Sequence, residues 1–226
     1  MLTSFRNREE AARLLARELM PYRGRNPLVL AIPRGAVVMG KIIADELEGE
    51  LDVVLVRKIG APGNPEYAIG AVDENGWAYL SEATESMYLP PGYIEKEKQR
   101  QAEICRTRRK QYTPIRPPAD PSGRVVIIVD DGLATGATMI AALHATRARN
   151  PAELVCAVPV AASDSLEKVR PLADKVVCLM TPPLFMAVGQ FYREFLQVED
   201  EEVERLLAEQ SVAAHRPAER TVEKRI

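Results

Sequence analysis

Histidine, cysteine and tryptophan are scarce in this chain of 226 residues, which has two, three and one of them. The cysteines stand at 105, 156 and 178 with no CxxC pair, which argues against a zinc ribbon or a disulfide framework. Cys156 and Cys178 lie in apolar runs and read as small buried hydrophobes, as expected of a reduced, cytoplasmic protein. No apolar run approaches the ~18 residues that a bilayer span needs. The segment Met1 to Glu10 is polar, with no signal-peptide core, so neither secretion nor a membrane is expected. An excess of one charge is lacking too: 30 Lys and Arg face 32 Asp and Glu, a net charge of −2. Nothing global therefore points to nucleic acid as a partner. Neither GxxxxGK[ST] nor GxGxxG occurs, which removes the P-loop and dinucleotide fingerprints. No cluster with metal-ligand spacing supports a hydrolase.

What is present is an alternation of short apolar runs with helical patterns. Ala12, Leu15, Ala16 and Leu19 recur at helical spacing, with Asn7 as N-cap and Pro21 and Gly24 as stops. Leu28 to Ile32, Leu51 to Val56, Val125 to Val129, Leu154 to Val158 and Lys175 to Leu179 read as buried strands. Helices are expected over about 37–47, 93–112, 137–149, from 163 or 164, and over 200–209. Arg57 to Glu66, with two prolines and two glycines, reads as a mobile loop. Tyr67 to Val72 and Trp77 to Leu80 read as a hairpin joined through Asn75-Gly76. The whole predicts an α/β fold with a mostly parallel central sheet, helices on both faces, and ligand loops at the strands' carboxyl ends. Residues 1–210 form one expected domain. Within it 93–112 is a helical insertion and 181–198 a small variable hood, while 211–226 is a flexible tail.

One segment concentrates the chemistry. Val125 to Val129 runs into Asp130-Asp131, and then Gly132-Leu133-Ala134-Thr135-Gly136-Ala137-Thr138 leads into a helix. Small residues let the backbone wrap a ligand closely. A helix N-terminus favours an anion, and Thr135 and Thr138 add hydroxyl donors. This suits a phosphate monoester. Two adjacent carboxylates cannot both be buried without partners, and ribose hydroxyls or a hydrated Mg²⁺ would supply them.

The run Val126 to Thr138 resembles the 5-phosphoribosyl-1-pyrophosphate (PRPP) motif of type I phosphoribosyltransferases. The resemblance extends over roughly residues 25 to 195. It implies a Rossmann-like fold in which Asp130 and Asp131 bind the ribose 2′ and 3′ hydroxyls, directly or with Mg²⁺. Ala134, Thr135, Gly136, Ala137 and Thr138 would hold the 5′-phosphate. Pro33-Arg34-Gly35 stands where the family keeps its pyrophosphate loop, so Arg34 and Gly35 join the expected PRPP site, with the Arg34–Gly35 bond as the candidate cis peptide. Arg57 and Lys58, at the end of the second strand, complete the pyrophosphate side. Arg34, Lys58, Asp130 and Asp131 are thus the expected catalytic residues. Hypoxanthine-guanine members have an Asp where this chain has Ala134, so no general base is identified.

The hood, 181–198, is the expected cover of the acceptor, and Phe185, Phe191 and Tyr192 are candidate stacking faces. Gln190, Arg193 and Glu194 are candidate readers of the acceptor's edges. The basic residues of helix 93–112, among them Arg106, Arg108 and Arg109, read as a solvated face. His144 reads as surface or packing. The expected function is transfer of phosphoribose from Mg-PRPP to a small-molecule nitrogen acceptor such as a nucleobase. The alternative is a PRPP- or nucleotide-sensing regulator that binds RNA or a partner protein. Homo-oligomerisation is left open.

Overall fold

A computed structural model describes residues 3–214. A five-stranded parallel sheet forms its centre, in the order β2-β1-β6-β7-β8. The strands are β1 (Leu28–Ala31), β2 (Glu50–Val53), β6 (Val125–Val129), β7 (Glu153–Val160) and β8 (Lys175–Met180). Side chains alternate between two cores, which explains the uninterrupted apolar runs. Val29, Ile127 and Val155 enter one core; Leu30, Ile128 and Cys156 enter the other. Helices α1 (Arg8–Leu19), α2 (Ala36–Glu46) and α6 (Asp200–Ala214) cover the first face. Helices α4 (Ala137–Arg147) and α5 (Ser163–Val169) cover the second.

Local signals account for most boundaries. The Asn7 side chain accepts the Glu10 amide at 3.1 Å and caps α1, a contribution of about 1 kcal/mol. Gly136, at φ +77°, turns the chain from β6 into α4. α6 extends to Ala214, so positions 211–214 of the expected tail are helical. The remainder of that tail, with His215, lies outside the described residues.

Two expectations in the middle of the chain change. The run Leu51 to Val56 is not one strand. It ends at Val53, and Val56 opens β3 (Val56–Ala61) in a separate antiparallel sheet with β4 (Asn64–Asp73) and β5 (Ala78–Leu80). The loop expected over Arg57 to Glu66 is mostly strand. Pro62 and Gly63 make only the tight turn of a hairpin, and Pro65 sits where the β3–β4 register shifts, so no ladder bond is lost. A Cβ on Gly60 would lie 2.6 Å from the Pro65 backbone, which is why glycine stands there.

This small sheet is covered on both faces. Ala68 and Ala71 pack with α4, and Ile69 and Val72 pack with Ala102 of α3 (Tyr93–Tyr112). Helix α3 is thus a layer of its own, clamped by the Arg109–Glu74 fork at 2.9 Å for both bonds. His144 stacks on Trp77 with ring centroids 3.5 Å apart, a packing contact.

Candidate active site

The strand order reverses between β1 and β6, and the loops that follow these two strands leave on either side of that point. A crevice at the carboxyl ends of parallel strands is the natural ligand position in such a sheet. Pro33-Arg34-Gly35 follows β1, and Asp130 to Gly136 follows β6.

The loop expected to hold a phosphate, Ala134 to Thr138, is open and locally built. Ala134 and Thr135 are exposed, while Gly136 and Ala137 are buried. The Thr135 hydroxyl accepts the Ala137 amide at 3.4 Å, and Ser165 Oγ donates to the Ala134 carbonyl at 2.6 Å, which anchors the loop to α5. Among the described residues, the amides of Ala134, Thr135 and Gly136 have no backbone acceptor. An N-terminal turn with unused amides is an anion cradle.

The two acids are half-buried and differ in their partners. Asp130 accepts the Asp131 amide at 2.9 Å and has only a long contact, 3.5 Å, with the Thr138 hydroxyl. Burial, followed by the charge of Asp131, pushes its carboxyl well above the usual range; Lys58 and Thr138 pull it back only in part. Asp131 is also pushed up, again chiefly by burial, although Arg8 opposes the shift. Arg8 donates Nη2 and Nε to one oxygen of Asp131, at 2.8 and 3.0 Å. Its Nη1 donates to the Leu196 carbonyl at 2.6 Å, and its guanidinium lies 3.8 Å from the centroid of the Phe195 ring.

Gly35 is a matter of space rather than of conformation. A Cβ there would come within 2.7 Å of the Arg8 guanidinium and 2.8 Å of the Asp131 carboxylate. The cis peptide falls at Pro33–Arg34, one bond before the expected Arg34–Gly35. Arg34 is already paired, donating from Nη1 to Glu199 at 3.1 Å and to Asp200 at 3.4 Å. Arg57 and Lys58 lie on β3, not on a loop, and line a cleft of about 300 Å³ together with Pro33, Thr138 and residues of α3.

The hood departs from the stacking expectation. It is irregular except for a short 3-10 turn at Val188–Phe191. Phe191 and Tyr192 are 5% and 6% exposed and belong to the core, so neither offers an open face. Tyr192 instead donates its hydroxyl to the Asp131 carbonyl at 2.7 Å, and burial pushes that phenol up. Phe185 is partly exposed, packed 5.0 Å from Phe191. Gln190 is used within the hood, accepting the amides of Met186 and Ala187 and donating to the Leu184 carbonyl. The backbones of Arg193 and Glu194 bond to Phe5 and Arg6, which ties the N-terminal segment to the hood.

Sequence reasoning missed Arg8, 123 residues from its partner Asp131. A faint signal existed. A cation in the first turn of a helix opposes the helix dipole, so Arg8 at the start of α1 needed another reason to be there. Glu199 and Asp200 stand at the start of α6, where acids favour the helix dipole, and no local pattern ties them to Arg34.

The model of the phosphoribosyl transferase domain family matches residues 3–194. A Mycobacterium tuberculosis protein named "Putative phosphoribosyl transferase", in the H37Rv and CDC 1551 strains, is 39% identical over 200 residues, or 88% of this chain. The match covers 45% of that relative, so the chain spans less than half of its length. The crystal structure of TT1426 from Thermus thermophilus is similar at a TM-score of 0.76 and 46% identity, over 92% of this chain and 99% of that one. Among the described residues no helix is long and apolar enough to cross a membrane. On the family match, which spans the parallel sheet and both crevice loops, the chain belongs to the phosphoribosyl transferase domain family.

Proposed function

We propose that the chain transfers the 5-phosphoribosyl group of PRPP to a nitrogen acceptor of the nucleobase class and releases pyrophosphate. One observation carries this reading: an open phosphate cradle, two adjacent carboxylates and the Arg34-Gly35 loop converge across one strand-order reversal. A phosphate monoester, a diol and a diphosphate would find complementary groups there in the order in which PRPP carries them.

In this reading the amides of 134–137 and the hydroxyls of Thr135 and Thr138 take the 5′-phosphate. Asp130 and Asp131 accept hydrogen bonds from the ribose hydroxyls. Arg34, the Gly35 amide, Arg57 and Lys58 meet the diphosphate. The C1–O bond breaks as the C1–N bond forms; pyrophosphate leaves with the bonding pair, and the proton of the acceptor nitrogen passes to the departing pyrophosphate or to water. The protein's part is to position the reactants and to neutralise the leaving group. Ala134 supplies no proton acceptor.

Among the described residues there is no cage of three or more metal-ligating side chains. Two acids beside a phosphate cradle nevertheless fit Mg²⁺, which usually takes one or two carboxylates and draws its other ligands from water and substrate phosphates. Asp130 and Asp131 would hold it, directly or through water, and its charge would lower the cost of the departing diphosphate.

Titration calorimetry of PRPP with and without Mg²⁺ tests the reading. Mg²⁺-dependent binding, followed by pyrophosphate release on adding a purine or pyrimidine base, is the expected result. No heat at millimolar PRPP would overturn it.

A further inference from the structure

The cleft beside the Pro33 loop has a wall that the sequence did not suggest. Helix α3, read from the sequence as a solvated basic surface, turns several side chains into it. Among the described residues that line this space of about 300 Å³, Arg57, Lys58, Arg100 and Arg108 are cationic, and only Glu97 is acidic. Glu97 is already engaged, forked to Arg100 at 2.6 and 2.8 Å and accepting from Gln101 at 2.7 Å.

The arginines of α3 have different employment. Arg109 is forked to Glu74 through Nε and Nη2, although its buried Nη1 has no hydrogen-bond partner among the described residues. The guanidinium of Arg108, its neighbour, makes no hydrogen bond among the described residues. Its nearest carboxylate oxygen, on Asp200, is 3.7 Å away. The side chain is 19% exposed and lines the cleft. Arg57 is similarly under-used. Gln101, 6% exposed, accepts its Nε at 2.5 Å, while both Nη groups lack a partner among the described residues. Burial lowers the affinity of Arg57 for its proton, and the charge of Arg108 lowers it further. Cations held together in a half-buried space repel one another, and an anion of high charge density relieves that repulsion.

We propose that α3 forms the outer wall of the diphosphate subsite and that Arg108 binds the leaving pyrophosphate together with Arg57 and Lys58. This rests on the phosphoribosyl reading of the cleft. Asp200 stands where the anion's charge would act, touching Arg34 at 3.4 Å and accepting from the Tyr112 hydroxyl at 3.1 Å, with Arg108 just beyond hydrogen-bond reach. Diphosphate and Asp200 therefore compete for the same guanidinium groups.

The test measures inorganic pyrophosphate and ribose 5-phosphate separately by calorimetry, both with Mg²⁺, on the full chain. Arg108→Gln is expected to weaken pyrophosphate binding about tenfold and to leave ribose 5-phosphate within about twofold, with Arg108→Lys recovering part of the loss. Asp200→Asn, which removes the competitor, is expected to tighten pyrophosphate binding. Equal losses for both ligands in Arg108→Gln, or a loss of pyrophosphate binding in Asp200→Asn, would show that Arg108 acts only by supporting α6, and would overturn the proposal. So would a wild-type protein that binds PRPP with no change on Arg108→Gln, while the phosphoribosyl reading stood. Pyrophosphate binding that depends on Arg108 in a protein with no affinity for PRPP would retain the anion site and sink the phosphoribosyl reading instead. Absence of any pyrophosphate binding would end both.

Discussion

The two halves of the crevice are built in opposite ways. The proposed phosphate side is one continuous stretch, Asp130 to Thr138, and the amides of Ala134, Thr135 and Gly136 stand free of backbone acceptors among the described residues. The proposed diphosphate side is gathered from the loop after β1, from β3, from α3 and from the start of α6, and Arg34 within it is already held by Glu199 and Asp200. Asp131, on the seam between the halves, is likewise held, by Arg8. A site made from one segment can stand open, because backbone amides at a helix start are tolerably hydrated. Arg34 and Asp131, which meet partners from distant segments, are instead paired inside the fold, Arg34 with Glu199 and Asp200 and Asp131 with Arg8.

The comparison breaks most severely at the acids. Asp130→Asn with Asp131→Asn is expected to lower Mg-PRPP affinity by about 100-fold or more, equivalent to about 3 kcal/mol, as read by calorimetry. Arg8→Met comes next. It strands a carboxylate that is 18% exposed, and the expected loss of stability is about 1–3 kcal/mol by denaturant unfolding. The upper end of the buried-pair range is not reached, because Asp131 can take up a proton.

Thr135→Val sharpens the contrast between the halves. It is expected to weaken ribose 5-phosphate by about tenfold while leaving inorganic pyrophosphate nearly unchanged, the reverse of the Arg108 pattern. The smallest effect concerns pH. The carboxyls of Asp130 and Asp131 are held above their ordinary range, so the folded protein binds these protons more tightly than the unfolded chain does. Stability conferred by the protonated pair is present at low pH and is lost as pH rises through the folded-state values. At neutral pH the charged pair therefore works against folding. Asp130→Asn alone should raise the melting temperature, by about 2–4 °C for each kcal/mol relieved, and the gain should shrink as pH falls toward the unfolded carboxylate range. A variant that melts lower at neutral pH would contradict the strain assigned to the pair.

Several features were legible in the chain because their causes are local. Five apolar residues before two acids and a small-residue turn specify a buried strand, a strand end and a helix start, and they occur at Val125–Val129, Asp130-Asp131 and Ala137. Asn7 caps α1 through its own side chain, and Tyr93 to Tyr112 is a helix between the expected limits. The hairpin of β3 and β4 was hidden because its prolines and glycines have the composition of a loop. Only pairing across the sheet shows that Pro65 sits at a register shift. The hood's aromatics could not be sorted from sequence, since stacking on a ligand and packing into a core use the same rings. The core holds Phe191 and Tyr192.

The sequence by itself determined the apolar strands of the parallel sheet, the helices between them, the small-residue turn after β6 and the two acids, because backbone sterics, apolar periodicity and helix-start chemistry act over a few residues. Tertiary structure alone decided which charges meet. Arg8 reaches Asp131, Asp200 approaches both Arg34 and Arg108, and α3 closes the cleft. Electrostatic attraction depends on distance in space and on burial, and no spacing along the chain encodes either one.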